Sequence, residues 1–377
     1  MADTSTQPTP RPKRLICVGF RRWRQANLAP ILHEQAGELI FAPDAQAVVK
    51  LRPGPDDAIA YWGVTPPEGI AQIAHSTGAA SIRIEDGFVR SVGLGSDLIP
   101  PLSLVLDRSG IYFDPRTPSD LETILATVNF TAEEIARARK IRSFITRHGI
   151  TKYNMEPRTP AHWPTNGRRV LLVTGQVEDD ASIRFGCKTV STNIGLLQAA
   201  RQTCPDGYIV YKPHPDVMSG NRRGKMALAA ARSIADHIET DLSVISCIDA
   251  SDEVHVMTSL AGFDALLRGK QVVTYGQPFF AGWGLTHDRE QEGAALARRQ
   301  RTLTLDELVA GALLHYPIYW DENSRAPSTC EAVLDELLRT RTVLEQSGDL
   351  EKLRSGWWRR LGRKAKVIAR AFLSHRG

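Results

Sequence analysis

Residues 253–275 read EVHVMTSLAGFDALLRGKQVVTY, and this stretch decides the fold. A short run rich in β-branched residues, Glu253–Met257, reads as a strand. Leu260–Leu267 follows as a helix, and Gln271–Tyr275 returns as a strand. The same alternation extends upstream. Strand Val170–Val173 precedes helix Thr192–Thr203, and strand Tyr208–Tyr211 precedes helix Arg223–His237. Helices Leu305–Leu314 and Cys330–Gln346 follow downstream. A first series lies nearer the N-terminus. It has strands Arg14–Val18, Glu38–Phe41, Ala58–Trp62 and Ala80–Ile84, and helices Trp23–Glu34, Glu68–Ser76, Pro118–Val128 and Thr131–His148. Strands alternating with helices predict parallel sheets covered on both faces. Between the series, Tyr153–Gly167 is Pro-rich and aperiodic, and reads as a linker. The expected class is α/β, with two Rossmann-like domains facing a cleft. The expected divisions are a disordered leader at 1–13, a first domain at 14–152, a linker at 153–167 and a second domain at 168–330. A C-terminal helix at 331–353 and a basic tail at 354–377 complete the chain.

The 377 residues fit two domains at roughly 100–200 residues each. Hydrophobic residues at 42% and charged residues at 24% exclude bulk disorder and a fibre. The net charge of +5 invites a nucleic-acid reading, but its distribution argues against one. Residues 354–377 hold eight Lys or Arg and no acid, leaving 39 basic against 42 acidic side chains, a net of −3, in the rest. The five cysteines are scattered without a CxxC pair, so no disulfide framework or structural zinc is expected. Reduced cysteines suit a cytoplasmic protein. The leader has no apolar core and is not read as a signal peptide. No run approaches the ~18 apolar residues of a spanning helix.

Ligands of open parallel sheets bind beyond the carboxyl ends of the strands. Five strand ends carry polar or glycine-rich clusters. After Ile84 comes Glu85-Asp86-Gly87-Phe88-Val89-Arg90. Asp-Gly is a common turn pair, and a carboxylate aimed into a cleft is a general base. After Val173 comes Thr174-Gly175-Gln176-Val177-Glu178-Asp179-Asp180-Ala181-Ser182. Its acids read equally as a solvated loop, oxygen ligands for a divalent metal, or a nucleophile forming a glycosyl-enzyme intermediate. After Tyr211 come Lys212, Pro213, His214 and Pro215, where cationic groups suit a phosphate leaving group. Thr258, Ser259 and Gly262 lie where helix capping and phosphate binding coincide. Gly276–Gly284 reads either as a core loop or as a sugar or base pocket. No GxGxxG, P-loop or nucleophile elbow is present, so dehydrogenase and NTPase readings lack support.

At these residues the sequence resembles the capsule polysaccharide biosynthesis proteins of the KpsC/KpsS (LipB-like) type, and most nearly a single KpsC module. The resemblance rests on EDGFVRSVGLGSDLIPPLSLVLDRSGIYFDP, GQVEDDASI, KPHPDV and TSLAGFDALLRGKQVVTYGQPFFAGWGLT, in that order, and covers about Leu15 to Trp320. It implies a GT-B-like glycosyltransferase that moves 3-deoxy-D-manno-octulosonic acid (Kdo) from CMP-Kdo with retention. The acceptor would be lipid-linked or Kdo-primed, at the inner face of the inner membrane, near other capsule assembly proteins. It further implies Asp180 as nucleophile, with Asp179 its rival, and Glu85 as base, with Asp86 its rival. His214, Lys212, Pro215, Thr258, Ser259 and Gly262 fall to the CMP phosphate. Gln176, Ser182, Arg90 and Gly87 fall to the substrates. Neither a metal nor a cofactor beyond the donor is expected. Two other readings compete: an inverting transferase using CMP-sialic acid or a related sugar, and a non-catalytic capsule assembly or export factor.

The tail reads as a basic amphipathic helix. Trp357, Leu361, Ala365, Ile368 and Phe372 would form one stripe, and Arg359, Arg363, Lys366 and Arg370 the opposite one. Such a segment suits an anionic bilayer surface.

Overall fold

The structure is a computed structural model that describes residues 11–94, 98–214 and 228–354. Two sheets carry the architecture. The first has seven strands in the order β13-β12-β5-β4-β3-β1-β2, and the second has six in the order β11-β10-β9-β6-β7-β8.

In the first sheet β1 (Arg14–Val18), β2 (Glu38–Ala42), β3 (Ala58–Trp62) and β4 (Ala80–Asp86) run parallel. Three strands absent from the sequence reading extend it. β5 (Ser103–Asp107) pairs antiparallel with β4, β12 (Pro317–Asp321) antiparallel with β5, and β13 (Ala326–Ser328) antiparallel with β12. The expectation of purely parallel sheets is therefore corrected at this edge. β12 and β13 lie within the range given to the second domain, yet they complete the first sheet. The hydroxyl of Tyr316 anchors this return by donating to the buried Asp107 carboxylate at 2.7 Å.

The second sheet is parallel throughout. It holds β6 (Val170–Thr174), β7 (Tyr208–Lys212), β8 (His237–Ile238), β9 (Glu253–Val256), β10 (Gln271–Thr274) and β11 (His287–Asp288). β6 and β7 are buried at every position, as strands covered on both faces should be. The chain steps from β6 outward to β8, then returns to the other side of β6 as β9. A topological switch point therefore lies between β6 and β9.

One expected helix is corrected. Helix Arg223–His237 is a helix only over Leu228–Arg232 among the described residues, and His237 belongs to β8. Asp236 explains the change: its backbone N–H donates to Ile209 O, and its carboxylate accepts from Ile209 N. These bonds draw the segment into the sheet. The helix expected over 331–353 ends at Gln346, and a second, Asp349–Arg354, begins after Gly348 with its φ of 70°. Helix Leu305–Val309 passes into a π-helical turn at Ala310–His315. The tail at 355–377, the leader up to residue 10 and Pro215 lie outside the described residues.

The Pro-rich segment carries neither helix nor strand. It is nevertheless pinned. Trp163 Nε1 donates to Glu239, and the buried Arg341 donates to Glu156 O. One continuous apolar core joins the two sheets, running from Phe88 and Val105 to Val254 and Trp283.

Candidate functional site

The carboxyl ends of both sets of parallel strands open onto one cleft of about 2100 Å³. At the switch point of the second sheet the loops after β6 and β9 are tied together. Gln176 Nε2 donates to Thr258 Oγ1 at 3.0 Å, and Thr258 N donates to Gln176 Oε1 at 2.9 Å. Asn193 holds the Gln176 backbone from below, accepting from Gln176 N and donating to Gln176 O. Thr258 Oγ1 then donates to Ser182 Oγ at 3.0 Å, and Ser182 Oγ donates to Asp180 Oδ1 at 2.7 Å.

Asp180 is the N-cap of the short helix α6 (Ala181–Gly186), where Oδ1 also accepts from Ser182 N. Both bonds use Oδ1, so Oδ2 is left without a hydrogen-bond partner among the described residues, on a side chain that lines the cleft. The three contiguous acids thus separate. Glu178 accepts from Asn193 N, Asp179 is exposed and outside the cleft lining, and Asp180 lies on the wall. Gly175 makes this approach possible. A Cβ there would stand 2.7 Å from the Tyr211 hydroxyl and 3.2 Å from His214 N.

Lys212 and His214 line the same wall, with Lys212 Nζ 3.5 Å from Thr240 O. Ser259 lines it too, and its Oγ accepts from Ala261 N at the start of helix Ala261–Leu267. Thr258 does not cap this helix; its hydroxyl serves Ser182. Gly262 and Gly87 are outside the lining. A Cβ on Gly262 would meet Phe280 at 2.6 Å, and one on Gly87 would meet Ser103 Oγ at 2.2 Å. Close packing accounts for a glycine at both positions. The Gly276–Gly284 alternatives resolve toward the core. Phe280 and Trp283 are fully buried, Trp283 Nε1 donates to Phe279 O, and only Pro278 and Phe279 reach the cleft.

On the opposite wall, β4 ends in Glu85 and Asp86. Asp86 forms an ion pair of 2.7 Å with Arg90, which is itself buried and donates to Ser91 Oγ and Ile99 O. Among the described residues Glu85 has no such ion-pair partner. Burial first, and the Asp86 charge second, push its pKa up to about 7 against the pull of Lys152 and Arg24. Lys152 was not singled out in the sequence. Burial works against its ammonium, yet Tyr112, Tyr153, Asp86 and Glu85 hold its pKa above the ordinary lysine value. Its position follows from Asn154, whose left-handed φ of 53° and bond to Ser91 O clamp residues 151–154 against the loop after β4. Among the described residues no group of three His, Cys, Asp or Glu is placed to hold a metal ion.

Two sheets meeting at a cleft, with a carboxylate on each wall and cations at a strand end, define an α/β protein with a charged cleft between its sheets. The comparisons place it further. The capsule polysaccharide biosynthesis protein family matches residues 57–319, and the chain belongs to it. It is 40% identical over 358 residues to "Capsule polysaccharide modification protein LipA" of Neisseria meningitidis serogroup B, covering 95% of this chain and 50% of that protein. It is 42% identical over 265 residues to "Lipopolysaccharide-processing protein LpsZ" of Rhizobium meliloti, covering 70% of this chain and 59% of that one. The chain thus spans about half the length of the first of these relatives. Among solved structures it resembles two from Thermosulfurimonas dismutans KpsC. The beta Kdo 2,4 transferase aligns with a TM-score of 0.74 at 32% identity, over 87% of this chain and 98% of that one. The beta Kdo 2,7 transferase aligns at 0.70 and 33% identity, over 87% and 99%.

Proposed function

We propose that the chain is a retaining β-Kdo glycosyltransferase of GT-B-like architecture, moving Kdo from CMP-Kdo to a lipid-linked or Kdo-primed acceptor in capsule biosynthesis. The observation that carries this reading is the Gln176–Thr258–Ser182–Asp180 chain of hydrogen bonds. It fixes one carboxylate on the donor wall of a cleft whose other wall holds Glu85. Asp180 attacks the anomeric carbon as the bond to the CMP phosphate breaks, and the bond electrons leave with CMP. Lys212 and His214 neutralise the departing phosphate. An acceptor hydroxyl then attacks the Kdo-Asp180 ester, gives its proton to Glu85, and frees the Asp180 carboxylate. Two displacements restore the original anomeric configuration.

The test uses Asp180→Asn, because asparagine still caps α6 well but is no nucleophile. Transfer should fall by about two orders of magnitude or more while CMP binds as before. Mass spectrometry of the wild-type chain with CMP-Kdo and a poor acceptor should find Kdo on Asp180. Retained transfer by Asp180→Asn, or an inverted product with no adduct, refutes the retaining mechanism. Failure to bind CMP would favour the assembly-factor reading.

A further inference from the structure

The first sheet has its own switch point, between β1 and β3, since the chain leaves β1 for β2 on one side and returns as β3 on the other. Arg21, Arg22, Arg24 and Trp62 line the cleft there. The Arg24 guanidinium lies 4.2 Å from the Trp62 ring centroid and 5.0 Å from that of Trp23, so an aromatic face holds it. Among the described residues no carboxylate pairs with Arg21 or Arg24. The three arginines sit in and just before the first turn of helix α1 (Arg22–His33), which carries no acid there and no side-chain cap. A helix N-terminus is electropositive, so cations are disfavoured at this end. Burial works first against the Arg24 charge; Glu85 and Asp86 attract it, and Arg21 and Arg90 repel it. Arg21 and Arg24 thus share this wall with Arg90 and Lys152, and of its two carboxylates Asp86 is already held by Arg90. An anion docked between Arg21 and Arg24 would meet two cleft-lining guanidiniums that no carboxylate among the described residues pairs.

We propose that Arg21 and Arg24, the latter held by Trp62, bind an oxyanion of the acceptor, a carboxylate or a phosphate, and so bring a neighbouring acceptor hydroxyl to Glu85. This rests on the reading of the first sheet as the acceptor wall. An acidic sugar and a lipid headgroup phosphate offer the same chemistry to a guanidinium, which binds either through paired N–H groups.

Calorimetric titration of the full chain decides the matter without requiring turnover. The probes are a methyl β-Kdo glycoside, its uncharged methyl ester, and glycerol phosphate. The wild type should bind an anionic probe and not the ester. The double variant Arg21→Gln/Arg24→Gln should weaken that binding by about tenfold to a hundredfold, the range for losing charge-assisted hydrogen bonds. CMP affinity should match wild type in that variant, which shows that it folds. Arg24→Lys should recover part of the loss. Preference for the glycoside assigns the pocket to a sugar carboxylate, and preference for glycerol phosphate assigns it to a headgroup. Equal binding of glycoside and ester, no binding of either anion, or full binding by the double variant overturns the pocket. If Arg-dependent binding persists in a chain that transfers nothing from CMP-Kdo, the pocket stands and the transferase reading falls.

Discussion

Glu85 and Asp86 are neighbours with opposite fates. Asp86 is locked to Arg90, whereas Glu85 is partly buried beside Lys152 with a pKa pushed up to about 7. A base must be unprotonated to act, so acceptor-dependent transfer should rise as pH climbs through about 7 and then level. Glu85→Gln should remove that rise and lower transfer by about a hundredfold or more at pH 8. An unchanged profile in the variant would exclude Glu85 as the base. The same shift affects stability. The folded chain holds this proton more tightly than the unfolded one, so the stabilisation is complete below the ordinary value of 4.5 and is lost as pH rises through about 7. The strand-end rule brought Glu85, Asp180, Lys212 and His214 to notice in the sequence. It did not separate Asp180 from Asp179 or Glu85 from Asp86, because that depends on which side chain the backbone turns into the cleft. Lys152 was missed altogether. It sits in an aperiodic stretch before the Pro-rich segment, and only the Asn154 clamp brings it to Glu85.

At the scale of elements, β-branched runs and helical spacing marked every parallel strand except the two-residue β8 and β11. These two are too short to show a period. β5 (Ser103–Asp107), with its SLVLD run, was legible in principle but was absorbed into a long motif read for its polar residues. β12 and β13 gave no local hint that they return to the first sheet. That pairing is a long-range fact, fixed by contacts such as Tyr316 with Asp107. Helix Ala261–Leu267 holds a motif residue for which packing gives a second account. Gly262 stands where phosphate-binding glycines often stand, yet the absent Cβ makes room for Phe280. Gly262→Ala should therefore destabilise the fold by about 1–3 kcal/mol through overpacking. Chemical denaturation should show this loss while CMP affinity stays at the wild-type value. A stable variant with weakened CMP binding would return Gly262 to the donor site.

Across the whole molecule, one buried ion-pair cluster and one shared core bind the two sheets. Arg299 donates to Glu122 from a fully enclosed position and also holds Pro278 O and Ala281 O, so the loop after β10 is fastened to helix α4 (Asp120–Thr127). Phe88 from the β4 loop meets Phe279 from that same loop, with ring centroids 4.8 Å apart. The conspicuous motifs of both halves therefore pack on one another beneath the cleft. Residues 1–353 hold 39 basic against 42 acidic side chains, a net of −3, whereas residues 354–377 hold eight basic side chains against none acidic. Among the described residues no helix is long and apolar enough to cross a membrane. Each basic residue near an anionic bilayer contributes about 1 kcal/mol, so under the proposed function, with its lipid-linked acceptor, we propose this segment as an electrostatic anchor. Co-sedimentation with vesicles rich in phosphatidylglycerol should pull down the 377-residue chain, and a chain ending at 353 should remain in solution. Raising ionic strength should release the longer form, because a screened surface potential no longer holds it. Equal sedimentation of both forms would remove the tail from any role at the membrane and leave the cleft's own arginines as the contact with an anionic acceptor.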